Sequence, residues 1–148
     1  MNKARIKWIA FRSLVCCSLM AIASINFADE DHLRMMVLGN YLLIGKSPDS
    51  TQTYYGKIQI HSEGDAMAVV RDIDGVITKG TAAIEPALAG DARVLRIRFT
   101  ESGVYYEETC LISSDLDNYA RISCYLYQPY IQTDNPGLEA LFYDHNAN

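Results

Sequence analysis

From Leu38 onward, turn residues cut this chain into segments of strand length. The breaks are Lys46-Ser47-Pro48-Asp49-Ser50, Glu63-Gly64-Asp65, Asp74-Gly75, Ala89-Gly90-Asp91, Ser102-Gly103, Asp115 to Asn118 and Asn135-Pro136-Gly137. Between them the sequence predicts strands over Leu38 to Gly45, Tyr54 to His61, Ala66 to Ile73, Val76 to Ala83, Arg93 to Phe99, Val104 to Ile112, Tyr119 to Tyr127 and Gly137 to Tyr143. Alternation supports the pattern: Leu95, Ile97 and Phe99 point one way while Arg96 and Arg98 point the other, and Gly56, Ile58 and Ile60 repeat it against Lys57, Gln59 and His61. Ala66 to Ile73 alternates poorly. Asp74-Gly75 is a hairpin signal, because a type I′ turn needs positive φ at both central residues. Asp72-x-Asp74-Gly75 could open a calcium loop, but the later ligands of such a loop are missing, so a turn is expected. Only Asp29 to Met36 reads as helical, with acids in its first turn and Leu33, Met36 and Val37 at helical spacing. The fold class that follows is all-β: a single antiparallel up-and-down barrel of about eight strands with a short N-terminal helix.

The segment ahead of this pattern reads as an export signal. Lys3, Arg5, Lys7 and Arg12 precede an apolar run from Ser13 to Ser24, and Asn26-Phe27-Ala28 ends on a small residue before Asp29-Glu30-Asp31. The domain organisation expected is therefore a signal peptide over 1–28 and one secreted domain over 29–148, periplasmic or extracellular. Cysteine inside the run, in Leu14-Val15-Cys16-Cys17, raises a lipoprotein signal, which Cys16 fits badly at the position of a small residue. The run is too short to span a bilayer, and no later segment approaches that length. Without the signal, nine basic residues face eighteen acidic ones, a balance that disfavours nucleic acid and anionic lipid and favours a cationic partner.

Cys110 and Cys124 are the two cysteines left after the signal, and in an oxidising compartment they are expected to pair. If they face each other across an antiparallel pair, residues whose numbers sum to 234 are partners and the turn centres on Asp117. Tyr106, Glu108, Cys110 and Ile112 then share an inward face with Ala120, Ile122, Cys124 and Leu126. The outer face carries Tyr105, Glu107, Thr109 and Leu111 beside Tyr119, Arg121, Ser123, Tyr125 and Tyr127, a tyrosine stripe suited either to contact or to cladding. Glu108 among apolar groups must reach water, pair with an arginine, or anchor a ligand at the floor of a cavity with Tyr106.

Gly39-x-Tyr41 resembles the Gly-x-Trp of lipocalins with tyrosine substituted, which implies a barrel of the calycin type; the tryptophan-lined pocket of avidins has no counterpart after Trp8. Gly39, Tyr41, Gly45, Pro48 and Asp49, followed by Tyr54, Gly56, Ile60 and Gly80, are similar to a pattern in uncharacterised secreted bacterial barrel domains, implying a fold and a compartment but no activity. Ser102-Gly103-Val104-Tyr105-Tyr106 is similar to the Ser-Gly-x-x-Tyr loop of periplasmic inhibitors of c-type lysozyme, which implies a loop that enters a basic enzyme.

No catalytic constellation stands out. His32, His61 and His145 are scattered without metal-ligand spacing, and Glu107 and Glu108 point to opposite faces of one strand. No cofactor or metal is expected. The function expected is a monomeric, non-enzymatic binding protein. One form holds a small molecule in the lumen at Tyr106 and Glu108. The other is an interaction or inhibitor module acting through Ser102, Gly103, Tyr105, Tyr125 and Tyr127.

Overall fold

The computed structural model describes residues 30–114 and 119–147. Eight antiparallel strands follow one another and close on themselves: β1 (Gly39–Lys46), β2 (Thr53–Glu63), β3 (Ala66–Ile73), β4 (Val76–Ala87), β5 (Ala92–Glu101), β6 (Val104–Ser114), β7 (Ala120–Tyr127) and β8 (Gly137–Tyr143). A short helix, α1, covers 30–37. Each strand pairs with its neighbours in sequence, and β8 returns to β1 with Leu42 opposite Phe142 and Ile44 opposite Ala140, so no edge is left unpaired. This is the up-and-down barrel expected from the turn spacing.

Where the strands differ from expectation, the reasons are local. β4 runs to Ala87 rather than stopping at Ala83, carrying Pro86 opposite Arg93 near its end, where a residue without an N–H is tolerated. β3 has the bounds expected, and its poor alternation has a cause: Met67, Val69 and Arg71 all point inward and are buried, so an arginine occupies a slot that the pattern reserves for an apolar residue.

The Asp74-Gly75 hairpin is confirmed as a turn, with φ of 53° and 84° at its two central residues and Asp72 Oδ1 accepting the Gly75 N–H at 3.0 Å. Cys110 lies opposite Cys124 and is bonded to it, and the whole β6–β7 ladder follows the expected register, from Glu107 opposite Tyr127 to Ile112 opposite Ile122. The turn centred on Asp117 lies outside the described residues, as does the export signal. Among the described residues no helix is long and apolar enough to cross a membrane.

The two ends of the barrel are built differently. At one, Val37 is buried and its carbonyl accepts the Tyr41 hydroxyl at 2.9 Å, while Arg34 donates to the carbonyls of Gly64, Asp65 and Ala66. At the other, the β1–β2 and β7–β8 connections clamp each other: Asp49 N–H donates to the Asn135 carbonyl at 3.0 Å, and Asn135 N–H donates to Asp49 Oδ1 at 2.7 Å. The second end opens on the lumen and is called the mouth below.

Candidate functional site: a buried ion cluster beneath the barrel mouth

Most of the lumen is filled by apolar side chains, including Leu43, Ile58, Val69, Ile97, Ile122 and Leu141. Toward the mouth the filling turns polar. Arg71 of β3 is 2% exposed, Glu108 of β6 is 0% and Glu139 of β8 is 3%, which places three ionisable side chains out of water together. The guanidinium answers both acids. Nη1 donates to Glu108 Oε1 at 2.8 Å and to Glu139 Oε2 at 2.7 Å, while Nη2 donates to Glu139 Oε1 at 2.7 Å. The Glu139 contact is therefore bidentate, the geometry in which an arginine–carboxylate pair is strongest.

Tyr54 of β2 completes the cluster by donating its hydroxyl to Glu139 Oε1. Space for its ring comes from Gly45 directly across the β1–β2 ladder, where a Cβ would lie 2.7 Å from the tyrosine Cζ. Burial, followed by the nearby Glu139 charge, pushes the Tyr54 phenol well above its ordinary pKa, so it remains a donor. The charges balance by the same logic. Two carboxylates share one guanidinium, and Glu108 is held well above the usual carboxylate range by burial first and by Glu139 second. Both effects favour the protonated form of Glu108, which offsets the excess of two acids over one guanidinium. Arg71 stays charged: burial opposes it, but the hydrogen bonds and charge of Glu139 hold its pKa up.

Above the cluster lies a cavity of about 120 Å³, lined by Ser47, Tyr54, Arg71, Ile73, Phe99, Glu101, Tyr106 and Leu126. Phe99 forms its aromatic wall, with the Arg71 guanidinium 4.1 Å from the ring centroid and Tyr106 stacked beside it at 5.5 Å. Arg71 Nε is buried without a hydrogen-bond partner.

The structure separates the residues that the sequence grouped. Tyr106 lines the mouth cavity, whereas Glu108 lies behind Arg71 and does not, so the two do not form one cavity floor. Of the three roles open to Glu108, pairing with an arginine is the one seen. Ser102 and Gly103 form the exposed β5–β6 turn, with φ of 51° and 79°, and Tyr105 beside it is 46% exposed. Tyr127 is engaged on the outer wall: it donates to Glu107, takes a bond from Arg96 at 2.8 Å and lies 3.1 Å from Thr109 Oγ1. That wall carries a linked ion network, in which Arg98 bridges Glu85 at 2.6 Å and Glu107 at 2.8 Å; the hydrogen bond from Arg98 lowers the Glu85 pKa. Tyr125 lies in an apolar setting instead, an open groove of about 470 Å³ on the outer wall with Ile44, Leu111, Leu138 and Ala140.

Glu108, Cys110 and Cys124 bring ligand atoms within 4.8 Å of one another, but both sulfurs are spent in the disulfide, leaving one carboxyl rather than a metal-binding set. Sequence reasoning identified Glu108 as an inward acid and missed Arg71 and Glu139. Their signal was parity: Arg71 is in step with Met67 and Val69, and Glu139 with Gly137 and Leu141. Comparison of the chain with protein-family models, with curated proteins and with solved structures finds no match.

Proposed function

We propose that the protein is an exported, non-enzymatic binding protein that takes a small molecule at the mouth of its barrel. The observation that carries this reading is the mouth cavity itself: aromatic walls from Tyr54, Phe99 and Tyr106 around a guanidinium fixed by two buried acids. Preorganisation of this kind lowers the ordering cost of binding, because Arg71 is already held by three hydrogen bonds. The paired carboxylates do not line the cavity, which argues against acid–base chemistry on a bound substrate. Export is supported by the leader sequence and by the disulfide. Two-dimensional NMR of the mature domain titrated with a small-molecule library tests the reading. Ligands should move Tyr54, Phe99 and Tyr106 together, and ligands that move only outer-wall residues would overturn it.

A second reading, an inhibitor or interaction module of the lysozyme-inhibitor kind, is favoured by the exposed Ser102-Gly103 turn with Tyr105 beside it. The acidic surplus would steer such a module toward a basic enzyme. Mixing the mature protein with c-type lysozyme decides this reading, and undiminished lysis sinks it.

A further inference from the structure

We infer that the outer wall holds a second site, separate from the mouth, for one unbranched acyl chain ending in a carboxylate, with the chain in the groove beside Tyr125 and the acid on the Lys46 ammonium.

The groove follows from side-chain size. Ser123, Ala140 and Ile44 lie abreast in the ladders of β7, β8 and β1, so two small residues form part of its floor. Leu111, Tyr125 and Leu138 stand around them, all exposed, and the trough is about 470 Å³, within the range of about 300–1,000 Å³ usual for ligand sites. From Leu111 on β6 to Lys46 on β1 is three strand spacings, or about 14 Å. That is the reach of an extended chain of medium length.

Charge selects the head group. In a mature domain with nine basic against eighteen acidic residues, this wall reverses the sign. Across β7, β8 and β1 the one acid is Glu139, which points inward to Arg71, whereas Arg121 and Lys46 are turned outward. Glu107, the outward acid of β6, is held by Arg98 at 2.8 Å. Lys46 lines the groove and makes no ion pair among the described residues. A single anion at the end of an apolar chain answers both features at once. A second copy docked wall to wall would meet the same two cations with no outward acid on these strands to answer them. An anionic bilayer is repelled by the acidic domain as a whole, and a neutral hydrocarbon leaves Lys46 unused.

The test holds the chain constant and changes the head. Decanoate, decanol and decyltrimethylammonium are each titrated, below their self-association thresholds, into the mature wild-type protein at pH 7.5. The methyl signals of Leu111, Leu138 and Ala140 and the ring protons of Tyr125 report on the groove, and the rings of Tyr54, Phe99 and Tyr106 report on the mouth. Decanoate should move the groove signals alone and bind about fivefold tighter than decanol, the factor for one partly exposed ion pair. The cation should bind more weakly than either. From hexanoate to decanoate, each added methylene should tighten binding about two- to fourfold, the upper figure being that of a fully buried CH₂. Lys46→Gln should bring decanoate level with decanol, whereas Ala140→Leu, which fills the floor, should weaken both alike.

Equal binding of decanoate and decanol to wild type, tightest binding of the cation, or still groove signals overturns the inference. Shifts at the mouth in place of the groove also overturn it, while supporting the mouth-binding reading. Sedimentation of wild type as a dimer that Ala140→Leu disperses assigns the wall to a second copy, and capture on phosphatidylglycerol vesicles without a response to decanoate assigns it to a bilayer; each overturns the acyl-chain site. Acyl-chain acids are kept apart from the library that tests the mouth, so either site can fail alone.

Discussion

Replacing Arg71 with methionine removes the one cation from a site that excludes water, and the cost can be worked from the contacts it breaks. Arg71→Met leaves Glu108 and Glu139 facing each other without the guanidinium that both now touch. Breaking a buried ion pair by deleting one partner costs about 3–5 kcal/mol, because the remaining charge is stranded. Loss of the cation–π contact with Phe99 adds about 0.5–2 kcal/mol, which a methionine sulfur on the same ring offsets by about 0.3–1.5 kcal/mol. For a domain of this size each kcal/mol lowers the melting temperature by about 4 °C, so a fall of about 12–20 °C is expected.

The pH dependence makes the test specific. Without the guanidinium, burial and mutual repulsion raise both carboxyl groups, and each can then be accommodated as the neutral acid. The deficit relative to wild type should therefore be largest near pH 8 and shrink toward pH 4. Thermal and urea unfolding followed by circular dichroism at the two pH values measure it. A loss under about 1 kcal/mol, or one equal at both pH values, would refute the claim that this cluster is dry and held by arginine.

Glu108→Gln keeps the shape and removes the titrating proton. In the native state the Glu108 carboxyl is held above its ordinary value, so the folded protein binds more protons than the unfolded chain, and stability falls as pH rises from the ordinary glutamate range through the folded value. The glutamine variant lacks this slope. Its urea midpoint should gain on wild type between pH 4 and pH 8, and parallel curves would show that Glu108 does not carry the extra proton. Replacing Cys110 and Cys124 together with serine opens a loop whose ends are 14 residues apart and should cost about 3 kcal/mol in chain entropy. Chemical unfolding of wild type with and without reductant gives the same difference; no change on reduction would place the stability elsewhere.

Much of this architecture is written in local chemistry. Asp74-Gly75 and Ser102-Gly103 mark turns through residues that tolerate positive φ, and the ladder through Cys110 and Cys124 follows from parity once those two sulfurs are paired. The same parity put Glu108 inside. Arg71 was not legible because a charged residue at an inward slot reads as a broken pattern: what makes it tolerable is Glu139, 68 positions away. Pro86 hid the end of β4 for a related reason, since a strand breaker near a strand end looks like the end itself. The motif of Gly45, Asp49 and Tyr54 could be recognised as a pattern, but its purpose needed the fold, which shows Gly45 making room for Tyr54 and Asp49 fastening the rim to Asn135.

Seven of the eight strand pairings join neighbours along the chain; the last, β1 with β8, joins Tyr41 to Tyr143. Closing so long a loop is the entropically dearest step of assembly. Glu139 arrives with β8, so Arg71 and Tyr54 gain their shared partner only when that final seam zips. Dehydration of the salt cluster and completion of the cylinder are thus one event, and a chain that has folded every hairpin but this one still carries its central arginine unneutralised by Glu139.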